Sequence, residues 1–413
     1  MEHLVGEVIT AEKIDEAENN SIEEFGHNYF NRGGFEYILN EHKGKLPIEI
    51  TAVPEGSIIP SRNILMQIIN TDENCAWLPN FLETILLHVW YPTTVCTNSY
   101  KLRMLIDSYA QKSGTRVTPF HVHDFGMRGV SSLQSSGIAG SAHLVNFLGS
   151  DNTVGRRYAK AFYNADGKDL SSTIYAAEHS TVISYGRDKE LESYNNIIDS
   201  APPELPISIV SDSYDHLHAV KEYFGDSLKE KIMSRTGKVV IRPNSGNGVE
   251  ISDKTIELLG KSYGFIENSG GYKTLNPHVG VIYGDRVSED AIKCILDRLV
   301  NRKKYSTDNI VFGIGKELTQ AVNCDDYKFA FKASTIMVND EWRDIKKTVV
   351  TDHTKASKAG RMKLIIDENG NYKTIPLDDE GNDVLKTIFK NGKITKKVTF
   401  DEIRKRSGWF DYY

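Results

Sequence analysis

Cysteine is scarce in this chain. There are four in 413 residues, Cys75, Cys96, Cys294 and Cys324. No two stand in CxxC spacing, so the sequence predicts neither a disulfide ladder nor a zinc cluster, and a reducing, cytoplasmic setting is expected. Basic charge is not in excess either. The 50 Lys and Arg residues are outnumbered by 56 Asp and Glu, for a net charge of −6. That balance argues against nucleic acid or an acidic membrane surface as a general partner, and leaves room for a small cationic pocket. No apolar run is long enough to cross a bilayer. The opening "MEHLVGEVITAEKIDEAE" lacks the charged-then-apolar pattern of a secretory signal. The glycine patterns GxGxxG and GxxxxGK[ST] are absent, which removes the signatures of the common open-sheet nucleotide sites.

What is present is a globular composition, 39% hydrophobic and 26% charged, with core enough for one large domain or two ordinary ones. From about 118 to 338, short β-rich runs alternate with helical stretches. The strand candidates are "TPFHVHDF", "AHLVNF", "STIYAAEHS", "ISIVSDSYD", "KVVIRPNSG", "VGVIYGDR", "NIVFGIG" and "YKFAFKAS". About eight such units predict a parallel sheet, and the count favours a closed (β/α) barrel over an open doubly wound sheet. "SEDAIKCILDRLVNRK" reads as a helix capped by Ser288, with Ile292, Ile295, Leu296 and Leu299 on one stripe. "SDKTIELLGKSYG" reads as another, with Ser252 as its cap and Gly260 near its end. The flanks differ. "KLPIEITAVPEGSIIPSRNILMQIINT" looks like antiparallel β, followed by a long helix around "FLETILLHVW". "LIIDENGNYKTI" and "IFKNGKITKKVTF" each place Asn-Gly between β-like arms. A barrel-like domain at 118–345 and a smaller α+β domain from 1–117 and 346–413 are therefore expected.

In a barrel of this kind the C-terminal strand ends converge on the working face. Read in order they are His123, Asp124, Phe125 and Arg128; Asp151; Glu178 and His179; Ser208 and Asp212; Arg242, Asn244, Ser245 and Gly246; Gly284 and Asp285; Gly313 and Gly315. Arginines and open backbone N–H groups suit phosphate. Acids beside them suit Mg²⁺-pyrophosphate or a cationic transition state. An aromatic ring beside an isolated acid suits a flat heterocycle with a hydrogen-bond donor. Each residue taken singly has a plainer reading. A strand-end Asp caps helices, His179 could be structural, and Arg242 could pair with a neighbouring carboxylate. His121 and His123 share a face, but no third metal ligand lies within sequence reach.

The motifs "HDFGMRGVSS", "GIAGSAHLVNFLGSD", "AAEHST", "SIVSDSYD", "VVIRPNSGN", "YGD" and "NIVFGIG" resemble, in order, those of the nicotinamide phosphoribosyltransferase family. "LPIEITAVPEG", "ETILLHVWYPTTVCTNS" and "KASKAGRMKL" extend the resemblance from about Val8 to Leu364. The resemblance implies a type II phosphoribosyltransferase fold. It also implies a homodimer with active sites at the subunit interface. The reaction would join nicotinamide to phosphoribosyl pyrophosphate, with Mg²⁺ and with ATP as a coupling substrate through a phosphohistidine, in NAD biosynthesis. By matching position, Phe125 would stack on the pyridine ring, Arg128 would contact the base and phosphate region, and Asp151 would accept from the carboxamide. Ser208 would help hold the amide and His179 would accept phosphate. Asp212, Arg242 and Asp285 would line the ribose-pyrophosphate path. Asn244, Ser245, Gly246, Gly284 and Gly315 would form the phosphate loops. Lys332, Lys347 and Lys355 would supply positive charge, with no metal bound directly by protein ligands.

The chain also departs from the family pattern. The N-terminal Asp-Ser-Tyr-Lys-x-x-His motif, whose tyrosine covers the base's other face, has no counterpart. Asn244 replaces Asp, Lys316-Glu317 follow Gly315, Cys324 replaces Arg, and Arg286 replaces Gly. The alternatives are a catalytically impaired homologue serving a partner, or half of a split enzyme whose second chain supplies the N-terminal segment.

Overall fold

A computed structural model describes residues 2–165, 170–347 and 357–409. The chain forms two compact units, 1–90 with 324–413, and 91–323, rather than 1–117 with 346–413, and 118–345. The helix Trp90–Lys112 explains the first displacement, because its Val95, Leu102, Ile106 and Tyr109 are built into the core of the second unit. At the other boundary, Phe331 packs against the core of the first unit.

The second unit holds a six-stranded parallel sheet: β1 (Val122–Asp124), β2 (Tyr175–Ala176), β3 (Ile207–Val210), β4 (Val239–Arg242), β5 (Val279–Tyr283) and β6 (Ile310–Ile314). Their order is β1-β6-β5-β4-β3-β2. Apart from the β1–β6 pair, each strand neighbours those adjacent to it in sequence, so the order runs around a ring. A doubly wound sheet would reverse direction at a switch point. Beside β1 the sheet is continued by isolated parallel bridges, Asp124 with Ser150 and Gly149 with Ser172, the last just before β2. There the Asp124 N–H donates to the Gly149 carbonyl at 3.1 Å, and the Ser150 N–H to the Ser172 carbonyl at 3.0 Å. Strands β3, β4 and β5 are buried along their whole length, as parallel strands covered on both faces must be.

Two expected strands are absent. "AHLVNF" ends the helix Leu133–His143 and then turns. Its Leu144 and Phe147 are fully buried, so the apolar run marks a packed turn, and sheet contact begins only at Gly149. "YKFAFKAS" alternates half-buried Tyr327, Phe329 and Phe331 with exposed neighbours, but has no ladder partner among the described residues.

Ser288 caps Glu289–Leu296 as expected, its side chain accepting from the Ala291 N–H. Ser252 does not cap. Asn247 accepts from the Val249 and Glu250 N–H groups, starting the helix Gly248–Tyr263 more than a turn earlier, and Gly264 ends it. The helix expected around "FLETILLHVW" is broken into Leu78–Phe81 and Glu83–Leu87 before Trp90. His88 and Val89 there bond three residues back instead of four.

In the first unit, Ile48–Ala52 pairs antiparallel with Met66–Asn70 and with Lys386–Lys390. Both Asn-Gly hairpins form: Met362–Ile366 with Tyr372–Pro376, and Lys386–Lys390 with Lys393–Ile394. In the second, Asn391 and Gly392 both have positive φ, as a type I′ turn requires. Among the described residues no helix is long and apolar enough to cross a membrane.

Candidate active site

The sequence-predicted residues from Phe125 to Gly315 lie within one unit, most of them at or just beyond C-terminal strand ends of the parallel sheet, while Ser208 lies within β3 and Asp151 follows the isolated bridge at Ser150. Phe125 follows β1 and donates its N–H to the Ile314 carbonyl at 2.8 Å. Its half-buried ring lies over the ends of β5 and β6. A Cβ on Gly313 would fall 2.1 Å from that ring, and one on Gly284 would fall 3.6 Å from it. Gly313 therefore seats the ring. Gly313→Ala is expected to displace the Phe125 ring and to destabilise the fold by the amount usual for overpacking, about 1–3 kcal/mol. Chemical unfolding of the variant beside the parent checks this, and unchanged stability would show that Gly313 does not seat the ring.

Arg242, the last residue of β4, is 8% exposed. Its guanidinium carbon lies 5.9 Å from the Phe125 ring centroid, within cation–π range. Its Nε has no hydrogen-bond partner. Burial pulls Arg242 down from the usual arginine range, while Glu178, Asp151 and Asp212 favour its charge and Arg128 opposes it. Arginine remains charged throughout. Ser208, 3% exposed on β3, also has an unpartnered hydroxyl. An unpaired buried donor is costly, and the two groups lie on neighbouring strands, since Val210, two residues after Ser208, pairs with Arg242.

His179 begins the short helix His179–Ile183, and its Nε2 lies 2.9 Å from Asp212 Oδ1. The histidine side chain is 37% exposed and the aspartate 6%. Burial pushes the Asp212 carboxyl up. Hydrogen bonds from the Ser245 side chain, His179 and the Asn244 backbone outweigh that and hold it below the usual carboxylate range. Asp212 is thus an anion that orients His179. Asp151 is exposed and accepts from the Thr173 hydroxyl. Arg128, on the turn Met127–Gly129, is exposed. Asn244 Oδ1 would lie 3.2 Å from a Cβ on Gly284, so the missing side chain at 284 admits the amide.

The loop carrying Gly246 (φ 88) leads through Asn247 into the helix Gly248–Tyr263. A cavity of about 220 Å³ lies there, lined by Gly246, Gly248, Tyr283, Asp285 and Arg286 among others. Gly315 precedes the short helix Lys316–Thr319, its carbonyl accepting from the Leu318 N–H. Lys332 and Lys347 belong to the other unit. There Lys332 Nζ donates to the Phe331 carbonyl and lies 3.4 Å from Glu83, and Lys347 is exposed. Lys355 lies outside the described residues.

Two residues were missed in sequence. Thr173 holds Asp151. Asn152, fully buried, donates to Asp124 Oδ2 at 2.9 Å while its Oδ1 caps the next helix at the Gly155 N–H. Only Asn152 had a local signal, an Asx residue just before a helix. His42, Asp72 and Cys75, in the other unit, bring three metal-capable donors within 4.8 Å of one another. Asp72 is already engaged there by the Asn74 N–H, the Tyr37 hydroxyl and His42 Nε2, the pattern of a structural brace.

Residues 120–393 match the nicotinate phosphoribosyltransferase (NAPRTase) family, and residues 1–50 match the nicotinamide phosphoribosyltransferase N-terminal domain. A nicotinamide phosphoribosyltransferase of Xanthomonas campestris pv. campestris is 40% identical over 91% of this chain and 82% of its own length. One from Acinetobacter baylyi is 33% identical over 88% of this chain and 76% of its own. The solved structure of nicotinate-nucleotide pyrophosphorylase from Pyrococcus furiosus shares the fold, with a TM-score of 0.58 at 16% identity over 88% of this chain and 80% of that one. The chain belongs to the family of nicotinate and nicotinamide phosphoribosyltransferases.

Proposed function

We propose that the barrel mouth joins nicotinamide to phosphoribosyl pyrophosphate, releasing nicotinamide mononucleotide and pyrophosphate for NAD biosynthesis. The carrying observation is the buried, unpartnered Arg242 beneath the Phe125 ring. Phe125 offers a face to the pyridine, and Asp151 accepts from its carboxamide. The sugar carbon gains positive charge as pyrophosphate departs, so positioning and fixed charge carry the catalysis. Arg242 balances the phosphates. Asp212 places negative charge beside the path.

His179 is the phosphoryl acceptor in this reading, with ATP as the donor. Asp212 engages Nε2 and so leaves the Nδ1 lone pair for the incoming phosphorus. Asp285 suits a Mg²⁺-pyrophosphate, since it lines the cavity and makes no hydrogen bond or ion pair among the described residues. Bound there, Mg²⁺ would neutralise the leaving group. A homodimer is expected from the family, as is a cytoplasmic setting.

The direct test incubates the purified chain with nicotinamide, phosphoribosyl pyrophosphate, Mg²⁺ and ATP, and assays the mononucleotide. No product at high enzyme concentration, with ligand binding intact, would sink the reading. Asp151→Asn is expected to cut the preference for nicotinamide over nicotinate by about tenfold or more. Nicotinate sets a carboxylate against Asp151, and the substitution relieves that repulsion. Competition kinetics with the two bases decides it, and an unaltered ratio would strike Asp151 from the assignment.

A further inference from the structure

Arg286 is an arginine in a backbone conformation that disfavours it. Its φ is +46°, in the left-handed region where side chains other than Gly, Asn and Asp are strained. It is exposed and lines the cavity beyond β5. Its guanidinium makes no hydrogen bond or ion pair among the described residues, although Asp285 precedes it. It is the one basic side chain in the cavity lining, and Asp285 the one acid. The opposite wall is brought close by a glycine: a Cβ on Gly248 would fall 2.8 Å from the Tyr283 ring.

We propose that Arg286 is a substrate-binding residue, the cation that grips the phosphate or pyrophosphate portion of the substrate in this cavity. The inference deepens the phosphoribosyltransfer reading above and rests on it for the identity of the ligand. Its physical basis is the sign of the cavity. With Arg286 removed, Asp285 would leave the lining purely anionic, and a polyanion could enter only with its Mg²⁺. With Arg286 present, a planar donor fork faces the same space and can bind a phosphoryl group through two oxygens. Strain retained at a cavity-lining residue without internal partners is what a ligand contact explains.

The test uses the full chain with Arg286→Gly and Arg286→Lys. Glycine removes both the strain and the charge. The expected result is a melting temperature higher by about 2–4 °C, a KM for phosphoribosyl pyrophosphate raised about tenfold, and a kcat changed less than about twofold. Lysine keeps the charge and the strain, so KM is expected to recover in part without the rise in melting temperature. Calorimetric titration with inorganic pyrophosphate supplies a readout independent of turnover. If Arg286→Gly binds pyrophosphate as the parent does, the assignment is overturned even in an active enzyme. If binding depends on Arg286 in a chain that makes no mononucleotide, the assignment stands and the reading of the reaction falls.

Discussion

Replacing Arg242 with alanine is expected to lower kcat/KM for phosphoribosyl pyrophosphate by about 10²–10³-fold, the range for removing one preorganised charge-stabilising donor. No matching loss of stability is expected. The residue is 8% exposed and its Nε has no partner, so the folded protein carries a desolvation cost that alanine relieves. A residue kept for structure would behave the other way, with stability falling and the activity of the folded fraction holding. Arg242→Lys is expected to stay impaired. Lysine keeps one charge but loses the planar fork and its stacking on Phe125. Steady-state kinetics beside thermal unfolding of the three proteins separates the cases. An alanine variant within about threefold of the parent in kcat/KM would remove Arg242 from the chemistry.

The strand ends were legible because a parallel sheet imposes one rule on all of them. "KVVIRPNSG" had to be buried up to Arg242 and polar after it, and the burial of β4 follows that division. The hairpins were legible because Asn-Gly fixes a turn locally. What failed needed information from elsewhere in the chain. "AHLVNF" carries the apolar density of a strand, and only the packing around it makes it a turn. Ser252 looked like a cap until Asn247 claimed the helix start. The partnership of His179 with Asp212 joins residues 33 positions apart and could not be read from either motif alone.

Acid is expected to begin destabilising this protein well above the pH at which its carboxylates titrate. His121, His123, His143 and His216 are all buried in the second unit. Burial pulls His123, His143 and His216 down from 6.5 to about 4, and His121 down as well. His121 Nδ1 accepts from the Thr118 N–H at 2.7 Å, whereas the Gly149 carbonyl, 3.2 Å from His143 Nε2, favours that ring's protonated form and offsets its burial only in part. An unfolded chain takes up protons at these positions near 6.5 that the folded chain refuses until about 4. Stability is therefore complete above about pH 6.5 and is lost as pH falls toward 4. At 1.36 kcal/mol per unit, each of the three histidines near 4 costs roughly 3 kcal/mol by pH 4. Asp124 and Glu190, pushed up by burial, act in the opposite sense and gain stability as pH falls. They are two carboxyls against four histidines, so the net slope keeps its sign. The prediction is a melting temperature that declines steeply between pH 6.5 and 4.5. His143→Gln, which removes one titrating ring of similar hydrogen-bonding shape, should flatten that decline even if it lowers stability at pH 7.5. A melting temperature constant from pH 7 to 4.5 would show that these histidines are not held neutral by the fold.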